Sequence, residues 1–131
     1  MNASTQSIIR ETAQASAEGR IHFGQVIERL VAAGVESYVV DYRAHRTAYY
    51  VPDGHVVDIP LDTPDGAIAN DFDVAALQAA IRGAQRGEVM YPDFKRLSCA
   101  AGCVGYAVWI AGRHVTYFGR LGQAHVEKFP D

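Results

Sequence analysis

The sequence lacks the segments that mark membrane, secreted and nucleic-acid-binding proteins. An uncharged stretch from Cys99 to Gly112 is too short to span a bilayer, and three glycines interrupt it. The first residues carry neither a basic start nor an apolar run, so no secretory signal is expected. No basic run exceeds two residues and the net charge is −3, so the chain has no cluster of basic side chains to neutralise nucleic-acid phosphates. We therefore expect a cytoplasmic protein without a membrane or nucleic-acid partner.

Motifs for metal binding and catalysis are also missing. Two cysteines, Cys99 and Cys103, occur at no recognised zinc-ligand spacing and are expected to be reduced thiols in the core. Five histidines form no HExxH pattern, and the chain has no nucleophile elbow, phosphate loop or dinucleotide fingerprint. The sequence therefore predicts no metal, no cofactor and no identifiable reaction.

An internal repeat is the most informative feature that is present. Shifting the chain by 68 positions aligns residues 21–54 with residues 89–122, and seven of these 34 positions are identical. Unrelated segments of average composition would share about two. We interpret residues 1–131 as one domain with two diverged copies, at about 4–60 and about 72–130.

Each copy shows two helical patterns followed by three short strands. An amphipathic spacing from Phe23 to Val31 and a proline at position 92 favour the second helix of each copy. Ser4 or Thr5 is expected to cap the first helix of copy one, and Asp71 or Asp73 that of copy two. Glycines at 112 and 122 and Asp53-Gly54 mark hairpins. The sequence predicts an α+β fold, with an ααβββ unit duplicated and a largely antiparallel six-stranded sheet packed under helices on one face.

Residue alternation assigns the two faces of this sheet. A two-residue turn at Ala111 and Gly112 would place Tyr106 opposite Tyr117 under the helices. A similar turn at Leu121 and Gly122 would place His125 opposite Phe118 on the other face. The second copy and the first then contribute to one outer surface, which is the candidate binding surface: Asp41, Tyr50, Trp109, His114, Phe118, His125 and Glu127.

This surface has two interpretations. Its aromatic residues are typical of cross-strand pairs or of a homodimer interface. Alternatively, Trp109 and Phe118 form a platform for a small ligand that His125, Glu127 and Asp41 hydrogen-bond. We predict a non-catalytic module that binds a small molecule or a protein through this surface. A small enzyme with His125 and either Glu127 or Asp41 as acid–base groups is the alternative, with no residue assigned as catalytic outside that alternative.

The end of the chain resembles a known family. The segment AAGCVGYAVWIAGRHVTYFGRLGQAHVEKFP (100–130), with the pattern YFGR…HVE…FP, is similar to the YbcV-like proteins, a domain of unknown function (1398). Segments 33–54 and 79–94 resemble it as well. The resemblance implies a compact bacterial α+β domain with an internal duplication, and no known activity. Because some members are labelled phage envelope protein, a phage or host interaction role is a further alternative.

Overall fold

A computed structural model describes residues 2–62 and 67–130. The described residues form four helices and six strands in an α+β arrangement, as the sequence predicts. The first half contains α1 (Ala3–Ala17), α2 (Phe23–Ala32), β1 (Ser37–Asp41), β2 (Arg46–Tyr50) and β3 (Val56–Pro60). The second half contains α3 (Val74–Gln85), α4 (Tyr91–Ala100), β4 (Cys103–Trp109), β5 (His114–Gly119) and β6 (Ala124–Lys128).

Side-chain caps fix where the first helix of each half begins. Asn2, rather than the predicted Ser4 or Thr5, caps α1, because its Oδ1 accepts a hydrogen bond from the Thr5 backbone N–H at 2.8 Å. Asp73 caps α3 in the same way through the Ala76 N–H at 3.0 Å, in agreement with one of the two predicted caps. Each cap satisfies a backbone donor that the first helical turn cannot pair internally.

The six strands form one antiparallel sheet in the order β3-β2-β1-β4-β5-β6. The two halves meet at its centre, where β1 pairs with β4. Helices pack on one face of the sheet, and the core lies between the two layers. Fully buried Ile9, Leu30 and Leu77 on the helices pack over Val108 and the neighbouring inward side chains of the sheet.

The register of β4 with β5 agrees with the sequence, whereas that of β5 with β6 differs from it by one residue. Tyr106 lies opposite Tyr117, as predicted. In the next hairpin His125 lies opposite Tyr117 instead of Phe118, and Glu127 lies opposite Val115. Because side chains alternate between faces, this shift moves His125 and Glu127 to the helix-covered face.

The length of the β5–β6 turn explains this one-residue difference in register. The Gly119 N–H donates to the Gln123 carbonyl at 2.9 Å and the Gly122 N–H donates to the Gly119 carbonyl at 3.1 Å. The loop therefore contains three residues, Arg120 to Gly122, rather than two. Gly122 has φ +82°, which is the left-handed residue that completes such a three-residue hairpin.

Strand pairing in the two halves repeats at the same offset as the sequence repeat. Ser37 pairs with Tyr50, and Gly105 with Phe118; Arg46 pairs with Pro60, and His114 with Lys128. The β1–β4 ladder is symmetric about its central pair, Val39 and Ala107, which the repeat also aligns with each other. An approximate twofold axis therefore crosses the middle of the sheet.

Within the described part of the chain, no helix is both long and apolar enough to cross a membrane.

Candidate functional site

The structure divides the predicted surface between the two faces of the sheet. Strand pairing places five of its residues on the face opposite the helices: Asp41, Tyr50, Trp109, His114 and Phe118. The other two, His125 and Glu127, lie on the helix-covered face. The prediction that all seven share one surface is therefore wrong, since it assumed the shorter β5–β6 turn.

The outer face presents an aromatic surface that no helix of the described chain covers. Trp109 is 42% exposed, and its indole N–H donates to Thr116 Oγ1 at 3.3 Å. The Trp109 and His114 rings lie with centroids 6.4 Å apart. Asp41 uses Oδ1 to accept the backbone N–H groups of Arg43 and Ala44, both at 3.0 Å. Its carboxylate therefore shapes the first hairpin and is separated by the sheet from His125.

On the opposite face, His125 and Glu127 form a hydrogen-bonded cluster with Arg82 of α3. His125 Nε2 and Glu127 Oε1 are 2.9 Å apart, so Nε2 carries the proton that it donates to the carboxylate. Arg82 donates to both Glu127 oxygens, at 3.0 and 3.3 Å. The side chains of His125 and Glu127 are only 17% and 11% exposed. This cluster ties the edge strand β6 to the helix layer.

The charge of Glu127 is maintained by its partners. Burial acts to raise the pKa of Glu127, but hydrogen bonds from Arg82 and His125, together with the charge of Arg82, outweigh burial and lower the pKa below its usual range. Glu127 is therefore an anion at neutral pH, and its negative charge is already bound by a bidentate arginine.

Between the helices and the sheet lies a cavity of about 460 Å³. Ligand sites typically have volumes of about 300–1,000 Å³, whereas packed cores seldom leave voids much larger than a water molecule. Both halves contribute to its walls: α1 and α3, the starts of α2 and α4, and the inward side chains of all six strands. The wall residues on the sheet are Tyr38, Val40, Thr47, Tyr49, Ile59, Pro60, Tyr106, Val115, Tyr117, Glu127 and Lys128.

Tyrosines dominate the sheet wall of this cavity. Tyr38 and Tyr49 stack with ring centroids 5.2 Å apart, and their equivalents Tyr106 and Tyr117 lie 5.3 Å apart. Burial raises the pKa of all four hydroxyls above its ordinary value. They are therefore neutral at physiological pH, and the rings give the cavity an apolar wall with polar tips.

A fifth tyrosine places an unpaired hydroxyl at this site. Tyr91, the first residue of α4, lines the cavity, and burial raises the pKa of its hydroxyl, an effect that the neighbouring Tyr106 and Tyr42 hydroxyls offset in part. The oxygen is buried and forms no hydrogen bond of good geometry with any residue in the described ranges 2–62 and 67–130. Buried polar groups in proteins are nearly always paired, so an unpaired one that lines a cavity indicates a place for a ligand's polar group or for water.

The sequence pattern alone does not reveal this cavity. Tyr38, Tyr49, Tyr106 and Tyr117 were visible only as repeat-matched, inward-facing residues, and a hydrophobic pattern predicts core packing at such positions equally well. The one available signal was chemical. Four inward tyrosines bring four hydroxyl groups into the core, and such groups need partners or space.

The two cysteines lie in the core and are not among the residues that line the cavity. Cys99 and Cys103 are buried free thiols, and burial raises the pKa of each to about 11. Both are therefore protonated and poorly nucleophilic at neutral pH. In the part of the chain that the structure describes, no three His, Cys, Asp or Glu side chains are grouped in a way that could hold a metal ion.

Comparison with known proteins finds relatives without an assigned role. Residues 1–60 match the family described as "Protein of unknown function (DUF1398)". Uncharacterized proteins of Mycobacterium bovis and of two Mycobacterium tuberculosis strains are each 32% identical over 108 residues. The alignment covers 82% of this chain and 66% of each relative, so the chain spans slightly less than two-thirds of their length. The family match falls on the first half, while the YFGR…HVE…FP pattern lies in the second.

Proposed function

We propose that this chain is a non-catalytic binding domain that holds a small, largely apolar molecule in the cavity between its helices and its sheet. The observation that carries the proposal is the tyrosine-lined space of about 460 Å³, which a well-packed core of this size would not leave. The unpaired Tyr91 hydroxyl supports it, since a bound molecule could supply the missing partner.

A substitution that fills the cavity tests this proposal. Ala84 on α3 lines the cavity, so Ala84→Phe should place a ring in the ligand's space without removing a contact. Ala79→Phe on the exposed side of the same helix is the matched control. In a thermal-shift screen of metabolites, a ligand at a hundred times its dissociation constant stabilises the wild type by about 2.7 kcal/mol, a shift of several degrees. We expect Ala79→Phe to keep the shift and Ala84→Phe to lose it.

The position of Trp109 adds a second measurement. Trp109 is the single tryptophan and lies on the outer face, away from the cavity. A cavity ligand should therefore raise the melting temperature with little change in tryptophan emission. A ligand that alters Trp109 emission and still stabilises Ala84→Phe would contradict the cavity proposal.

The outer face is the second candidate, as a docking surface for a protein or a second copy of the chain. The 42% exposure of Trp109 on an uncovered sheet face favours it. Sedimentation of wild type and Trp109→Ala tests self-association. A monomeric wild type at high concentration would exclude the homodimer.

An acid–base role for His125 and Glu127 receives less support. The two groups do converge at 2.9 Å, which is the geometry that such a role requires. However, Glu127 lines the cavity whereas His125 does not, and Arg82 occupies both carboxylate oxygens. Mass spectrometry of ligands recovered after incubation tests the role: a product formed by wild type and not by Glu127→Gln would establish it.

We also infer that the two halves arose by internal duplication of an ααβββ unit, with copies at about 4–60 and 72–130. Strand pairing that repeats at the offset of the sequence repeat supports this inference. In that case the cavity is built on the axis that relates the copies.

A further inference from the structure

The charges around the cavity distinguish between classes of ligand. Its lining includes three cations, Arg10, Lys95 and Lys128, and two acids, Asp62 and Glu127. Glu127 is already bound by Arg82 through two hydrogen bonds. Among the lining residues within 2–62 and 67–130, the cations therefore outnumber the one acid that is not paired with a side chain.

Two of these cations, Arg10 and Lys95, lie on helices α1 and α4, which pack against each other. Lys95 Nζ on α4 donates to the backbone carbonyl of Asp62 at 2.7 Å, which places the ammonium beside the end of β3. Helix α1, which carries Arg10, packs against both α4 and β3. The Arg10 side chain forms no ion pair or hydrogen bond with any other residue among those that the structure describes. An unpaired guanidinium beside an apolar cavity can bind a carboxylate with two hydrogen bonds.

The cavity interior complements these two cations. Lys95 Nζ lies 5.8 Å from the centre of the Tyr91 ring, so the ammonium lies beside one of the aromatic side chains that line the cavity. The hydroxyl of Tyr91 is neutral and unpaired within the described residues, and a neutral hydroxyl can donate to an anion. An apolar body would occupy the space beside the tyrosines, with its anionic group toward Arg10 and Lys95.

Resting on the cavity proposal above, we infer that the ligand is a small amphipathic carboxylate, with an apolar body of one or two rings or a short chain. An amine is disfavoured, because it would meet Arg10 and Lys95 in the cavity lining and a Glu127 already bound by Arg82.

Three probes of one shape separate the charge from the apolar body: 2-naphthoate, the neutral 2-naphthamide and the cationic 2-naphthylmethylamine. Calorimetric titration of the wild type should give an affinity for 2-naphthoate about tenfold above that for the amide, the size of one charge-assisted hydrogen bond. The double variant Arg10→Gln/Lys95→Gln should lose this difference and bind the amide within about twofold of wild type. Arg29→Gln, an exposed cation outside the cavity wall, is the control and should leave all affinities unchanged.

The outcomes also separate this inference from the cavity proposal. Equal affinity for acid and amide, or tighter binding of the amine, would overturn the carboxylate inference and leave the cavity proposal standing, provided that Ala84→Phe abolishes the binding. Binding of 2-naphthoate that persists in Ala84→Phe would mean a surface contact and overturn both. No binding of any probe would also count against both.

Discussion

The two halves of the chain have the same order of helices and strands, and their interiors differ first in one corner. At three positions on α1 and β3 the first half has Gln14, Val57 and Ile59. At the positions that the repeat aligns with these, the second half has Arg82, His125 and Glu127, which bind one another. Strand order and register are unaffected by this exchange. The comparison teaches that turns and core pattern set the architecture, while side chains at the sheet edge remain free to acquire different chemistry.

A second difference lies in the core. Tyr42 and Ser98 are buried and hydrogen-bonded to each other at 2.7 Å. Their equivalents in the repeat alignment are Ile110 and Leu30, which are buried and apolar. The same pair of positions is therefore filled once by a polar pair and once by an apolar pair. Each solution leaves no buried polar group without a partner at these positions.

The largest effect is expected from truncating Leu30, one member of the apolar pair. Leu30 is fully buried, so Leu30→Ala should lower the free energy of unfolding by about 3 kcal/mol through lost burial and a new cavity. Ser98→Ala should cost less, about 1–2 kcal/mol, because the methyl group is similar in size and the loss is the partner of the Tyr42 hydroxyl. Urea denaturation followed by circular dichroism measures both.

The double variant Tyr42→Phe/Ser98→Ala sharpens this test. It removes both hydroxyls, so it should recover part of the stability lost in Ser98→Ala alone. Equal losses for Leu30→Ala and Ser98→Ala, with no recovery in the double variant, would show that the two core pairs do not differ in the way described.

The next largest effect concerns the charged corner. Glu127→Ile introduces the first half's residue alone and leaves the largely buried His125 without its acceptor, which should cost about 1–2 kcal/mol. Changing all three residues, with Arg82→Gln, His125→Val and Glu127→Ile together, recreates the apolar corner of the first half. Arg82 is about half-exposed in this pair, and replacing even a fully buried ion pair by apolar residues is often neutral, so the triple variant should lie within about 1 kcal/mol of wild type. A triple variant less stable than the single one would refute the equivalence of the two corners.

The same comparison explains what could be predicted from the sequence. The repeat and the glycine-marked turns predicted the α+β fold. They also predicted the correct β4–β5 register, because only one pairing of these strands places both Tyr106 and Val108 on the helix-covered face. The β5–β6 register failed, because Leu121-Gly122 fits either a two-residue or a three-residue turn. The alternation of His125, Val126 and Glu127 is compatible with either register. His125 and Glu127 face inward because the three-residue turn sets the register, and Arg82, distant in sequence, then pairs with Glu127 on that face.

Turn glycines test how similar the two halves are outside their corners. Gly54 and Gly122 have φ of +92° and +82°, and an added Cβ would meet nothing within 4 Å at either position. An alanine at either position should therefore cost about 1 kcal/mol through backbone strain alone. The two losses should agree closely in thermal denaturation. A clearly larger loss at one position would mean that one hairpin contributes more to the fold than its counterpart.

The smallest effect is expected from pH, because wild type and Glu127→Gln differ by a single carboxyl group. The pKa of Glu127 is lower in the folded state than its unfolded value of about 4.3. The stability that its charge contributes is therefore fully present above about pH 5 and is lost as the pH falls through the folded pKa. The difference in unfolding free energy between wild type and Glu127→Gln should shrink as the pH falls below about 5. Glu28→Gln, an exposed carboxyl on α2, should show no such change. A difference between wild type and Glu127→Gln that grows on acidification would mean that the burial of Glu127, rather than its pairing with Arg82, controls its protonation.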